Sequence, residues 1–165
     1  MSDISISRLP ITGMIGLRGD LSSLGKVVKA VTGCALPDQR MCTSADGHTL
    51  LWMSRDELLL TCNAEAAEAI ASDLRSRLSG VFATVANISS ARQVFELKGQ
   101  GVESLLANVM PVDFARLDAS EVRRTRMAQV PAAIWRHDGG WRLMCFRSVA
   151  DYADGLLRAA RPVGA

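Results

Sequence analysis

A chain of 165 residues, 48% of them apolar, is long enough to bury a continuous core as a single domain over 1–165, without disulfides or a structural metal. Nineteen basic residues against seventeen acidic ones leave a net charge of only +2, and no aromatic stacking motif is present, which speaks against a nucleic-acid-binding surface. No apolar run is long enough to span a bilayer, MSDISISRLP does not read as a signal peptide, and Cys34, Cys42, Cys62 and Cys145 are scattered without a CxxC, so a reduced cytoplasmic chain is expected.

Residues 4–7 alternate apolar and polar, and 11–18 form a second strand-like run closed by Gly19. In the helix that follows, Asp20 or Ser22 is the cap, and Leu24, Val27, Val28 and Val31 recur on one face. Gly33 stands past its end, where a left-handed residue is wanted. Pro37 closes this unit. Three strands come next, 41–44, 49–53 and 58–62, joined by Asp46-Gly47 and by the polar turn 54–56. Asn63 then caps a helix over 64–78, with Ala67, Ile70, Leu74 and Leu78 inward and Glu65 and Glu68 near its positive end.

Past Gly80 the pattern repeats. Residues 84–87 match 4–7, the strand 93–98 ends at Gly99 as 14–18 end at Gly19, and Val102, Leu105, Leu106 and Val109 reproduce the first helical face. An apolar run over 132–135 leads into Asp138-Gly139-Gly140, whose glycines supply the positive φ of a tight hairpin. Beyond it Trp141, Leu143 and Cys145 point one way, and Arg142, Met144 and Phe146 the other. The last helix takes Ser148 as cap and Asp151 as the third position of a capping box. Val149, Tyr152, Ala153, Leu156, Leu157 and Ala160 share its inner face.

Trp52 matches Trp135 and Cys62 matches Cys145 at an offset of about 80 residues, so the chain reads as an internal duplication, approximately 1–80 and 81–165. Neither half buries enough apolar surface to offset the entropy of ordering it, and the two must share a sheet or a core. The fold expected is α+β, with mostly antiparallel sheets and helices packed on one side of each.

Motifs of known chemistry are missing: the sequence holds no GxxxxGK[ST], HExxH or GxSxG, and no GxGxxG after a strand. Gly13, Gly16 and Gly19 have turn spacing rather than dinucleotide spacing. His48 and His137 have no ligand-spaced neighbours, so no metal is expected. Cys145 reads as a small core residue, against an activated pair with His137.

The stretch 86–114, ANISSARQVFELKGQGVESLLANVMPVDF, resembles the folate-binding domain of the aminomethyltransferases through Asn87, Ser89, Gly99, Leu105 with Leu106, and Asp113. With RTRMAQVPAAIW over 124–135 and FRSVADYADGLL over 146–157, nearly the whole chain resembles the gamma subunit of heterotetrameric sarcosine oxidases. That resemblance implies two interlocked split β-α-β units. It also implies a non-catalytic small subunit that stabilises or assembles larger subunits in the oxidative demethylation of sarcosine. No cofactor is implied for this chain; FAD, FMN, NAD and tetrahydrofolate are implied for the larger subunits. The alternative is a free-standing folate-binding module.

Four residues stand out as candidates for a subunit contact. Arg124 and Arg126 share one face of a strand and suit an acidic partner, a polyglutamylated folate or open solvent, and less well a nucleic acid. Arg147 reads either as a bridge to a partner or as an ion pair with Asp151 or Asp154 of its own helix. Trp141 is one of three tryptophans, of which two suit the core and one an interface. An apolar patch meant for a partner would also drive self-association of the isolated chain.

Overall fold

A computed structural model describes residues 4–160. In chain order these form β1 (Ser5–Arg8), β2 (Gly13–Gly19), α1 (Leu21–Thr32), β3 (Cys42–Ala45), β4 (His48–Ser54), β5 (Glu57–Cys62) and α2 (Ala67–Arg77). The second series is β6 (Ala83–Asn87), β7 (Arg92–Lys98), α3 (Val102–Ala107), β8 (Val122–Met127), β9 (Val130–His137), β10 (Gly140–Phe146) and α4 (Ala150–Ala159).

Two compact units result. One gathers the described residues up to Pro10 with those from Ser90 onward, and the other is Ile11–Ser89. Each contains a five-stranded sheet, β1-β7-β10-β9-β8 in the first and β3-β4-β5-β2-β6 in the second. All pairings among the described strands are antiparallel. The interlock lies in the edge strands. β1 precedes the first repeat's helices yet pairs with β7, and β6 opens the second repeat yet pairs with β2.

The duplication extends to strand register. Ile15 lies opposite Leu60 and Leu17 opposite Leu58, while Phe95 lies opposite Leu143 and Leu97 opposite Trp141. One expected equivalence fails. Trp52 packs with the helix-covered core of its unit, whereas Trp135 lies opposite Val122 and Arg142, outside the corresponding cluster. A register shift between Trp52 and Ser54 displaces β4 by one residue against β5, and a one-residue slip turns a side chain to the other face.

Local chemistry explains the helix limits. The Asp20 carboxylate accepts from Ser23 N at 2.8 Å at the start of α1, and Gly33 ends it at φ 78°. Gly25, an unusual residue inside a helix, is needed for a crossing: a Cβ there would lie 2.7 Å from the Cβ of Leu36. Asn63 does cap its segment, accepting from Glu65 N at 3.0 Å, but the first turn is a 3-10 turn over Ala64–Ala66 and the α-helix begins at Ala67. α3 is only six residues long against twelve in α1; it begins after a left-handed Gly101 without a side-chain cap and ends at Ala107.

The capping box expected at the last helix is not formed. A 3-10 turn over Arg147–Val149 precedes α4, no side chain caps either segment, and Asp151 accepts from Arg8 instead. Of the expected inner face, Ala153 and Leu157 are buried and Val149, Leu156 and Ala160 pack against the core, joined by the buried Ala150; Tyr152 alone is exposed.

Each unit has its own core. Ile15, Leu17, Leu50, Leu58 and Leu60 meet Leu24, Val28, Ala71 and Leu74 in one; Phe95, Leu97, Ile134, Trp141 and Leu143 meet Leu105, Leu106, Ala153 and Leu157 in the other. The opposite sheet faces are buried too, at Met14, Leu51 and Leu59 in one unit and at Val94, Trp135 and Met144 in the other. Strands buried on both faces explain why 58–60 reads as an unbroken Leu-Leu-Leu rather than as an alternation.

Candidate interaction surfaces

Arg147 is drawn inward, not outward. Following β10, it donates from Nε to Ser90 O at 2.8 Å, from Nη2 to Arg92 O at 2.7 Å and from Nη1 to Gln93 Oε1 at 3.1 Å. Gln93 is buried, and its amide nitrogen donates to Leu9 O at 2.7 Å and Val94 O at 3.0 Å. Its Oε1 also accepts from Arg8 Nε at 3.2 Å, and Arg8 Nη1 donates to Asp151 at 2.6 Å. This network ties β1, β7 and the beginning of α4 together. Neither Asp151 nor Asp154 is the partner of Arg147; Asp154 pairs with Arg158 at 3.0 Å.

Trp141 is likewise committed to its own unit. It is only 3% exposed, meets Phe114 edge-on at 5.3 Å, and carries the Arg136 guanidinium 4.3 Å above its ring. That burial leaves a partner almost none of its surface. The most exposed tryptophan is Trp52, which is partly covered.

Arg124 and Arg126 lie on β8, an edge strand, exposed and on one face as expected. Arg123, on the other face, donates from Nε to the buried Glu121 at 2.9 Å. Of the four candidates, therefore, only Arg124 and Arg126 are brought together, and both present guanidinium groups at the surface.

The residues behind the folate-domain resemblance also have local partners. Ser89 Oγ donates to Asn87 Oδ1 at 2.6 Å and accepts from Met14 N at 2.9 Å, while Asn87 Nδ2 donates to Glu68 at 3.1 Å. Asp113 caps a short turn through Ala115 N at 3.2 Å and pairs with Arg116 at 3.4 Å.

Among the described residues, no three His, Cys, Asp or Glu side chains gather as metal ligands. Burial raises the thiol pKa of Cys42, Cys62 and Cys145; at Cys145 it outweighs the opposing pull of Arg8, Arg92 and Arg147. These cysteines are held as neutral thiols. No described helix is long and apolar enough to cross a membrane.

Cavities open at both strand-to-helix turns, one in each unit. The first, about 340 Å³, lies at Gly99–Ser104 and is flanked by Arg136, which pairs with Glu103 at 2.9 Å. The second, about 460 Å³, lies at Gly19, between Arg18, Asp56 and Phe82. Phe82 is 102% exposed, and the neighbouring Val81 is 41% exposed. Sequence reasoning missed both. The available signal was a Val-Phe pair immediately after Gly80, outside any periodic segment.

A family model described as sarcosine oxidase, gamma subunit family, matches residues 18–161. No curated protein sequence matches the chain. Among solved structures, heterotetrameric sarcosine oxidase from Corynebacterium sp. U-96, in complex with pyrrole 2-carboxylate, contains a similar chain. That match has TM-score 0.86 and 24% identity, over 95% of this chain and 83% of that one. Glycine cleavage system aminomethyltransferase T from Bartonella henselae is similar at TM-score 0.72 and 15% identity, over 93% of this chain and 45% of that one. The ligand-free regulatory subunit of aspartate kinase from Thermus thermophilus reaches TM-score 0.54 at 11% identity, over 96% of this chain and 98% of that one. At these identities the likeness is one of fold.

Proposed function

The chain belongs to the sarcosine oxidase gamma subunit family, and from that premise we propose that it is a non-catalytic small subunit of a cytoplasmic sarcosine-oxidase-type complex, where it stabilises or assembles the larger subunits. The observation that carries this reading is the family match over residues 18–161, nearly the full chain. The Corynebacterium enzyme similar in fold is itself heterotetrameric, which supports larger partner subunits here. FAD, FMN, NAD and tetrahydrofolate then belong to those partners. The internal use of Arg147, Gln93 and Asp151, together with thiols held neutral by burial, is consistent with a scaffold.

The test is affinity purification of the tagged chain from its native source, with mass spectrometry and an absorbance scan. Co-purification with large yellow subunits, and no sarcosine turnover by the chain alone, is expected. Turnover by the isolated chain would refute the non-catalytic assignment. A second reading, a folate-binding module, draws on the fold shared with aminomethyltransferase T, of which this chain spans 45%. It requires saturable heat on titration of the isolated chain with tetrahydrofolate.

A further inference from the structure

We infer that the outer edge of β8 receives an extended acidic segment of a larger subunit, which adds a strand to the sheet and sets a carboxylate against Arg126; the inference rests on the function proposed above. β8 closes one side of its sheet and pairs only with β9. It is the longest of the four edge strands among the described residues, with six residues against four in β1 and β3 and five in β6. At β6, moreover, Arg75 Nε already donates to Val85 O at 3.3 Å. An edge strand has main-chain donors and acceptors that its own sheet leaves unpaired, and an added strand supplies their partners.

Pro131 fixes which groups these are. It stands opposite Arg126 and has no N–H, so β9 gives the Arg126 carbonyl no donor. The register runs without a shift from Val122 opposite Trp135 to Met127 opposite Val130. Main-chain orientation repeats every second residue, so Val122 and Arg124 turn their N–H and C=O the same way as Arg126. The side chains of Arg124 and Arg126 share one exposed face and stand about 7 Å apart, the spacing of alternate residues in an added strand.

The occupant follows from unmatched charge. Residues 118–127 hold three guanidiniums, at Arg123, Arg124 and Arg126, and two carboxylates, at Asp118 and Glu121. Asp118 turns back to Ser120 N at 2.9 Å, and the buried Glu121 accepts from Arg123 Nε at 2.9 Å. The stretch of β9 opposite, 130–135, carries no charge. Among the described residues no carboxylate pairs with the exposed Arg126. A second copy adding through its own β8 would set Arg124 and Arg126 against their counterparts, and like charges facing one another across a ladder are destabilising. A γ-linked glutamate tail has carboxylates but not the strand spacing of N–H and C=O. A strand with Asp or Glu at alternate positions supplies both the ladder and a carboxylate for Arg126.

The test compares amide hydrogen exchange over 122–127 in the isolated chain and in its complex with the co-purified larger subunits, and measures binding of wild type, Arg126→Lys and Arg126→Glu to those subunits. The outward amides of β8 should exchange about tenfold more slowly or less in the complex. Arg126→Glu should weaken binding about 10-fold or more at low salt and by less at high salt, while Arg126→Lys retains most of the affinity. The melting temperature of isolated Arg126→Glu should remain that of wild type, since the side chain is exposed. Unchanged exchange over 122–127 in the complex, or wild-type affinity in Arg126→Glu, would overturn the strand addition while leaving the subunit assignment intact. A dimer of the isolated chain that protects 122–127 would overturn the choice of occupant, as would saturable binding of tri-γ-glutamate that Arg126→Glu abolishes. Failure of the wild-type chain to bind the larger subunits would overturn both the assignment and the contact.

Discussion

Replacing Arg147 by alanine separates two roles that the same side chain could have. The guanidinium makes three hydrogen bonds, to Ser90 O, Arg92 O and Gln93 Oε1. A charged hydrogen bond contributes about 1.5–3 kcal/mol when sheltered, and partial exposure lowers this to about 1 kcal/mol each. Gln93 retains Arg8 as a donor, so its buried oxygen is not orphaned by the substitution. The expected loss is therefore about 3 kcal/mol, which for a chain of this size lowers the melting temperature by about 6–12 °C. Arg147→Lys keeps the charge but not the planar fork, and should recover about half of the loss. Circular dichroism of the isolated chain against temperature reads both variants. A melting temperature for Arg147→Ala within about 2 °C of wild type, together with weakened binding to the larger subunits, would refute the internal role and restore the side chain to an interface.

Gly19→Val and Gly99→Val should each lower the melting temperature, because φ is 148° and 111° at these positions and a β-branched residue strains both turns; unchanged values for the pair would refute the equivalence of the turns. Trp141→Ala should cost about 3–5 kcal/mol in urea unfolding, since it empties a core position packed against Phe114, and a loss below about 1 kcal/mol would refute its place in that core. Asp20 has its pKa lowered, chiefly by the Ser23 hydroxyl and then by Ser23 N. Its stabilisation is thus complete above the ordinary carboxylate pKa and disappears as pH falls through the lowered one. Asp20→Ala should remove that acid-side dependence from melting curves recorded from about pH 6 to pH 2, and an unchanged profile would refute the cap as its source.

Much of the architecture was legible because patterning, turn chemistry and repetition agree. The hairpin at Asp138-Gly139, the cap at Asp20 and the stop at Gly33 each rest on a local rule that does not require knowledge of the rest of the fold. The exceptions depend on geometry at a distance. A one-residue displacement in β4 turned Trp52 away from the orientation of Trp135, and no periodicity records such a shift. Ser148 and Asp151 have capping-box spacing, yet Arg8, more than a hundred residues earlier, takes the carboxylate. For the surface, arginine clustering led to Arg124 and Arg126, whereas Phe82 escaped notice because exposure, its informative property, is not written in residue type. Arg147 and Trp141 show the converse: a long cation and a large aromatic were both absorbed by their own unit.

The exchange of edge strands has a consequence for the growing polypeptide. Ser5 pairs with Lys98, so β1 leaves the ribosome well before its partner has been made. At roughly 5–20 residues per second, that strand waits on the order of 5–20 s without a sheet to join. The Ile11–Ser89 unit, in contrast, has all five of its strands once β6 has been synthesised. It can therefore close first, leaving the N-terminal strand as a tether whose sheet is completed only after β10 has followed. A chain released after Asn87 would carry one complete sheet and one solitary strand, and chaperone contacts should concentrate on that strand.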